Sequence, residues 1–268
     1  QIMRTKLRGA QDVFTTAPNA YPKALINEYK EFLDYLHDNN FTLLGYREYN
    51  ITTEKGVVKN SITKGSSLGL LSDEVQPVYI NESRLSLDDK QQKLRIKQPP
   101  MTIGKVNKRS TVHRRVPLDA ITIKKYDKKG KVVGEILFIG LFTSVTYSRS
   151  LADIPYLRMK VDNVIKRSKF ANASYDHKAI RHILEKYPRD EILQMDETLL
   201  FEHATSILRL QERPQIALYT RTDPFGRYIS CLVYIPRERF ETRLRLKLQN
   251  VLVEELGGVC TNYKVSQD

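Results

Sequence analysis

The sequence predicts an α+β protein: an antiparallel-sheet domain, a helical connector, and a partial second α+β unit. Three observations carry this. A helical stripe near the amino end is followed by a series of short alternating runs; the texture becomes helical beyond Ser150; and alternation returns after Pro214 around a tight turn. Apolar residues make up 41% of the 268, with 15 Tyr and 9 Phe, enough to fill real cores and to exclude a disordered chain.

Between Tyr21 and Asp38, Leu25, Tyr29, Phe32, Leu33 and Leu36 fall on one helical face. Asn39-Asn40 stops that helix, and "FTLLGYREYNI" from Phe41 alternates as a strand. "TEKG" predicts a turn into Val57-Val58. Further strands are expected at "PVYI", "LRIK", "MTIGKV", "AITIKKY" and "VVGEILFIGLFT", with "DKKG" at Asp127–Gly130 as a hairpin turn. One helix followed by locally connected strands is a PAS-like order. Three helices are expected between Asp153 and Arg213. "PQIALYTRT" and "RYISCLVYIP" form a hairpin about "DPFG". Phe240, Leu244, Leu248, Val251, Leu252 and Leu256 then make one helical stripe, expected to pack on that hairpin. "VCTNYKVSQ" reads as a further strand, giving a ββαβ order.

The net charge of +13 raises the question of an anionic partner. Its distribution is uneven: Lys93 to Lys131 holds 13 Lys/Arg against Asp119 and Asp127, which supplies +11 of the total. Lysines on turns and outward strand faces are ordinarily solvated, and they discourage edge-to-edge aggregation. The functional alternative is a small-anion or effector site. Arg109, Ser110, His113, Arg114 and Arg115 are its candidate residues, since bidentate arginine suits carboxylates. Nucleic acid ranks last, because no recognition-helix, RNP or zinc-finger pattern accompanies the charge.

No convincing active site emerges. Gly65-Ser66-Ser67-Leu68-Gly69 matches G-x-S-x-G, but the run before it is polar and the stretch after it too short for the helix an elbow requires. Neither a dinucleotide fingerprint nor a P-loop occurs, and the cysteines and histidines show no metal-ligand spacing, so no cofactor and no metal are expected on this chain. Cys231 and Cys260 lie in strand-like runs, as buried free thiols of a reducing cytoplasm would. There is no signal peptide and no run long enough to span a membrane. The chain begins without Met, its first residues suggest no complete element, and a piece of a longer protein is expected.

Several stretches together resemble one family: "FTLLGYREY", "RSTVHR", "GEILFIGLFTSVTYSRS", "IPYLRMKVDNVI", "DHKAIRHILEKYPRDEILQ" and, most specifically, "RTDPFGRYISCLVYIPRERFET". They resemble, in order, the amino-terminal non-catalytic region of the large bacterial NAD-dependent glutamate dehydrogenases. The resemblance implies a longer parent that deaminates L-glutamate to 2-oxoglutarate with NAD, using residues downstream of this chain. It further implies regulation and homo-oligomer assembly here, with other domains and subunits of the parent as partners, and an amino-acid or carboxylate effector as a candidate ligand. On this mapping residues 1–20 are the tail of a preceding ACT-like domain and 21–150 a PAS-like domain. Residues 151–213 are the connector and 214–268 part of another ACT-like domain.

Overall fold

The computed structural model describes residues 1–17, 21–54, 57–72, 89–112 and 115–266. The expected "PVYI" strand and the middle of the "TEKG" turn lie outside them.

Helix α1 (Ile2–Gly9) continues into a 3-10 turn (Ala10–Thr16), where no complete element was expected. Its signal is a spacing of 4, 3 and 4 through Met3, Leu7, Ala10 and Phe14, of which the last three are buried. Helix α2 (Lys23–Tyr35) follows and buries Tyr29, Phe32 and Leu33. It winds out through Leu36–Asn40, where Asn39 takes φ 63° and Asn40 Nδ2 donates to the Tyr35 carbonyl at 2.8 Å. Asparagine tolerates the left-handed region and satisfies an open carbonyl, so the chain reverses here at little cost.

Strands β1 (Phe41–Glu54), β2 (Val57–Ile62), β3 (Leu68–Gly69), β4 (Met101–Arg109), β5 (Pro117–Tyr126) and β6 (Val132–Phe142) form one antiparallel sheet. Its order is β2-β1-β6-β5-β4, with β3 also on β1. The run "VVGEILFIGLF" is apolar almost throughout because β6 is central and covered on both faces. Tyr46, Phe138, Ile121, Ile123 and Met101 point to the helices, while Leu137, Ile139, Leu141 and Leu118 fill the other face. Gly140 is required on β6: a Cβ there would lie 2.1 Å from the Thr42 carbonyl oxygen and 2.6 Å from the Phe41 ring. Asp127 Oδ1 closes the β5–β6 turn by accepting from the Lys129 and Lys131 amides, both at 2.9 Å, and Gly130 supplies φ 77°.

The predicted "LRIK" strand is instead the end of α3 (Asp89–Lys97). Lys, Gln, Leu and Arg are strong helix formers, and the helical turn brings Gln92, Arg95 and Ile96 to the sheet while leaving Leu94 37% exposed.

After a short helix α4 (Ser144–Ser148) the connector comprises α5 (Leu157–Ser168), α6 (Tyr175–Lys186), α7 (Arg189–Gln194) and α8 (Glu197–Glu212). Ser174 caps α6, and Asp196 caps α8 by accepting from the Thr198 and Leu199 amides at 2.8 and 2.9 Å. Strands β7 (Ala217–Thr222) and β8 (Ile229–Tyr234) pair antiparallel, and α9 (Thr242–Leu256) ends at Gly257 with φ 61°.

Two expectations fail in this last unit. Residues 257–266 form no strand, since a strand needs a neighbour for its backbone groups and none of the described strands takes that place. The α9 stripe is not buried on the hairpin: Leu244, Leu248 and Leu252 are half-buried, Val251 and Leu256 exposed. The inward face of the hairpin packs on α8, with Tyr219 hydroxyl donating to Ser206 Oγ at 3.0 Å and its ring 5.1 Å from that of His203. Cys231 is half-buried and Cys260 exposed, the latter because its run is coil.

Candidate functional site

The predicted effector residues do not converge. His113 and Arg114 lie outside the described residues. Ser110 is buried, but its hydroxyl is used within its own turn, donating to the Val112 carbonyl at 2.7 Å and accepting from the Val112 amide at 3.0 Å. Arg109 donates to the Thr261 carbonyl, and Arg115 is exposed. The G-x-S-x-G match is equally local: Ser67 Oγ accepts from Arg47 Nε at 3.0 Å, and the two-residue β3 follows where an elbow has a helix.

The excess charge between Lys93 and Lys131 is partly internal. Arg95 meets Glu135 at 2.8 Å, both buried. Lys124 Nζ reaches the carbonyls of Ile96 and Gln98 at the end of α3, and burial pushes its pKa down to about 8. Lys125 pairs with Glu48 at 2.8 Å. Lys105 sits 2.5 Å from Asp119 and 3.1 Å from Asp190. Burial opposes the Lys105 charge, and the two carboxylates more than reverse this and hold it protonated. Asp119, buried and sharing that single cation with a second acid, is shifted upward.

Asp190 leads to the six-residue helix α7, whose side chains reach the sheet, the connector and the hairpin. "RDEILQ" buries Ile192 and Leu193 and sends its polar residues to three different neighbours. Arg189 pairs with Glu185 at 2.9 Å and donates to the Arg149 carbonyl. Asp190 accepts from Lys105 on β4 and from the Tyr147 hydroxyl at 3.0 Å. Glu191 takes both donors of Arg221 on β7, at 2.6 and 3.0 Å, and the Ser230 hydroxyl of β8 at 2.8 Å. Gln194 accepts from the Tyr228 hydroxyl. The open carbonyls of Ile192 and Met195 receive the buried Lys160 ammonium at 2.8 and 2.9 Å. Sheet, helical connector and hairpin therefore share one ion-pair network.

The hairpin side is built for this contact. In "DPFG" the buried Asp223 accepts from the Phe225 and Arg227 amides, and Arg227 returns bidentate at 2.9 and 2.7 Å. Burial raises the Asp223 pKa, but Arg227 outweighs it and the net shift is downward. Arg221 also lies over the Tyr228 ring at 5.6 Å. Burial disfavours its charge and Glu191 more than restores it. Beside them, the buried His203 accepts or donates at Nδ1 to the Tyr187 hydroxyl at 2.8 Å, and burial lowers its pKa, which keeps it neutral at pH 7. Sequence reading missed α7 because its residues are ordinary charged residues in a run of only six.

Among the described residues there is no group of three or more His, Cys, Asp or Glu able to hold a metal, and no helix long and apolar enough to cross a membrane.

Two family descriptions match the chain. "Glutamate dehydrogenase, helical motif 1" covers residues 154–213, which include α7, and "Glutamate dehydrogenase, ACT2 domain" covers 217–268, which include the hairpin. The chain is 36% identical over 257 residues to an NAD-specific glutamate dehydrogenase of Halomonas elongata, covering 96% of this chain and 16% of that protein. A Pseudomonas aeruginosa protein of the same description is 35% identical over 254 residues, covering 95% of this chain and 16% of that one. One from Mycobacterium tuberculosis is 27% identical over 228 residues, covering 85% and 13%. The chain belongs to the family of large NAD-specific glutamate dehydrogenases and spans a small part of their length.

Proposed function

We propose that this chain is a regulatory and assembly segment of a large NAD-dependent glutamate dehydrogenase, with no catalysis of its own. The parent would convert L-glutamate, NAD and water to 2-oxoglutarate, ammonium and NADH, in the cytoplasm and as a homo-oligomer. In this reading residues 21–150 are a PAS-like sensor or scaffold module, 151–213 a helical connector, and 214–268 part of an ACT-like module. The observation that carries it is the α7 network, which joins sheet, connector and hairpin through buried charges at the meeting point of the two matched regions.

The test uses a full-length enzyme of the family with the region corresponding to this chain deleted. The expected outcome is loss of the native oligomer and of effector response, with residual turnover wherever the catalytic portion still folds. Deletion that leaves oligomer mass and kinetics unchanged refutes the proposal, as does turnover of glutamate and NAD by the purified chain.

A further inference from the structure

A groove of about 440 Å³ opens between the end of α5, the start of α6 and the middle of α8. Phe170, Phe201 and Leu208 form its apolar wall, with Asp176 and Arg209 at the same opening. Its size suits a small molecule. Arg167 stacks on Phe201 at 4.5 Å and donates to Thr198 Oγ1 at 3.2 Å, so that wall is held in place.

The two charges define the ligand. Asp176 stands in the first turn of α6 and Arg209 in the last turn of α8, where the helix dipoles favour those signs. Among the described residues neither stands in an ion pair, with the other or with a neighbour. Two hydroxyls border the groove, and both spend their protons on the backbone: Ser168 Oγ on the Ile165 carbonyl at 2.6 Å, Thr205 Oγ1 on the Phe201 carbonyl at 2.7 Å. A hydroxyl oxygen that donates its proton keeps lone pairs with which to accept. The site thus offers one carboxylate and two acceptors to a cation, one guanidinium to an anion, and an apolar wall to whatever lies between.

We propose that this groove binds a free α-amino acid with an apolar side chain, as the effector site of the regulatory reading above, on which it rests. The ammonium meets Asp176 and the hydroxyl oxygens, the carboxylate meets Arg209, and the side chain lies on Phe170, Phe201 and Leu208. A dicarboxylate would set its second charge against Asp176, and a diamine would meet Arg209. Glutamate itself, the parent's proposed substrate, would lay its side-chain carboxylate on the apolar wall and is disfavoured here.

The test is titration of the chain with L-leucine and L-phenylalanine by saturation-transfer NMR, beside L-glutamate, N-acetyl-L-leucine and L-leucinamide. Binding is expected for leucine and phenylalanine at about millimolar concentration, with each capped analogue weakened about tenfold or more by the loss of one charged hydrogen bond. Arg209→Gln and Asp176→Asn are expected to weaken leucine by a similar factor at unchanged melting temperature. Should either variant fail to fold, the analogue series on the unmodified chain decides. Absence of binding at about 20 mM overturns the proposal. So does equal binding of free and capped leucine, or capture of a partner protein in place of the amino acid. Binding to the chain without any effect of leucine on the full enzyme upholds the site and refutes the regulatory reading, so the two failures are distinguishable.

Discussion

Glu191→Ala is the sharpest probe of the α7 junction. Arg221 is 6% exposed, and its guanidinium donates twice to Glu191, which also accepts from Ser230. Removing one partner of a buried ion pair costs about 3–5 kcal/mol, because the other charge is left in low dielectric. The Tyr228 ring beneath the guanidinium and the partial exposure of Glu191 place this case near the lower end, at about 3 kcal/mol. Spent locally, that raises the opening equilibrium of the hairpin roughly a hundredfold. Hydrogen exchange resolves it by region: amides of 217–234 are expected to lose protection while those of 132–142 keep theirs. Adding Arg221→Met should recover most of the loss, because no buried charge then remains unpaired. If Glu191→Ala costs under about 1 kcal/mol and leaves hairpin exchange unchanged, the junction is not held by this pair.

Lys105→Met leaves Asp119 and Asp190 without their shared cation and is expected to lower stability by about 3 kcal/mol in urea unfolding, with partial recovery in Asp119→Asn. Asp196→Ala removes the α8 cap and should cost about 1 kcal/mol, read as a lower melting temperature without loss of fold. Lys124, held at about 8 by burial, binds its proton less tightly than in the unfolded chain. Stability should therefore rise with pH from about 8 towards 10, by at most roughly 3 kcal/mol, and then fall as unfolded tyrosines ionise while buried ones such as Tyr35 resist. Lys124→Met should flatten that rise. For Asp223, held down by Arg227, stability is present above the ordinary carboxylate pKa and lost as pH falls through its depressed folded value.

The sheet was legible because its strands carry period-two patterns that only one register can bury, and the connector because its helices carry stripes and caps. Three failures have different causes. "LRIK" alternates by coincidence, and four residues are too few to outweigh the helix-forming run "DKQQKLRIK". "VCTNYKVSQ" alternates truly, but a strand is a property of a pair, and no described neighbour pairs with it. The first helix was passed over because its apolar residues are spaced across a junction between an α-helix and a 3-10 turn.

The candidate site was the least legible feature, for a reason rooted in charge. A sequence records that Lys105, Lys124, Arg95 and Lys160 are basic, and the ordinary expectation for such residues is solvent. In the fold all four meet internal carboxylates or helix-end carbonyls, and because Arg95, Lys105 and Lys124 lie between Lys93 and Lys131, the local excess of +11 overstates what a partner meets. Two of them, Lys105 and Lys160, also show how the sheet, connector and hairpin are joined. An apolar joint tolerates sliding, since one methyl replaces another at small cost. A joint made of Lys105–Asp190, Lys160 on the end of α7, and Glu191–Arg221 admits one register, because any shift leaves several buried charges unpaired at once. The orientation of the hairpin against the sheet is thus fixed by few contacts of large individual weight.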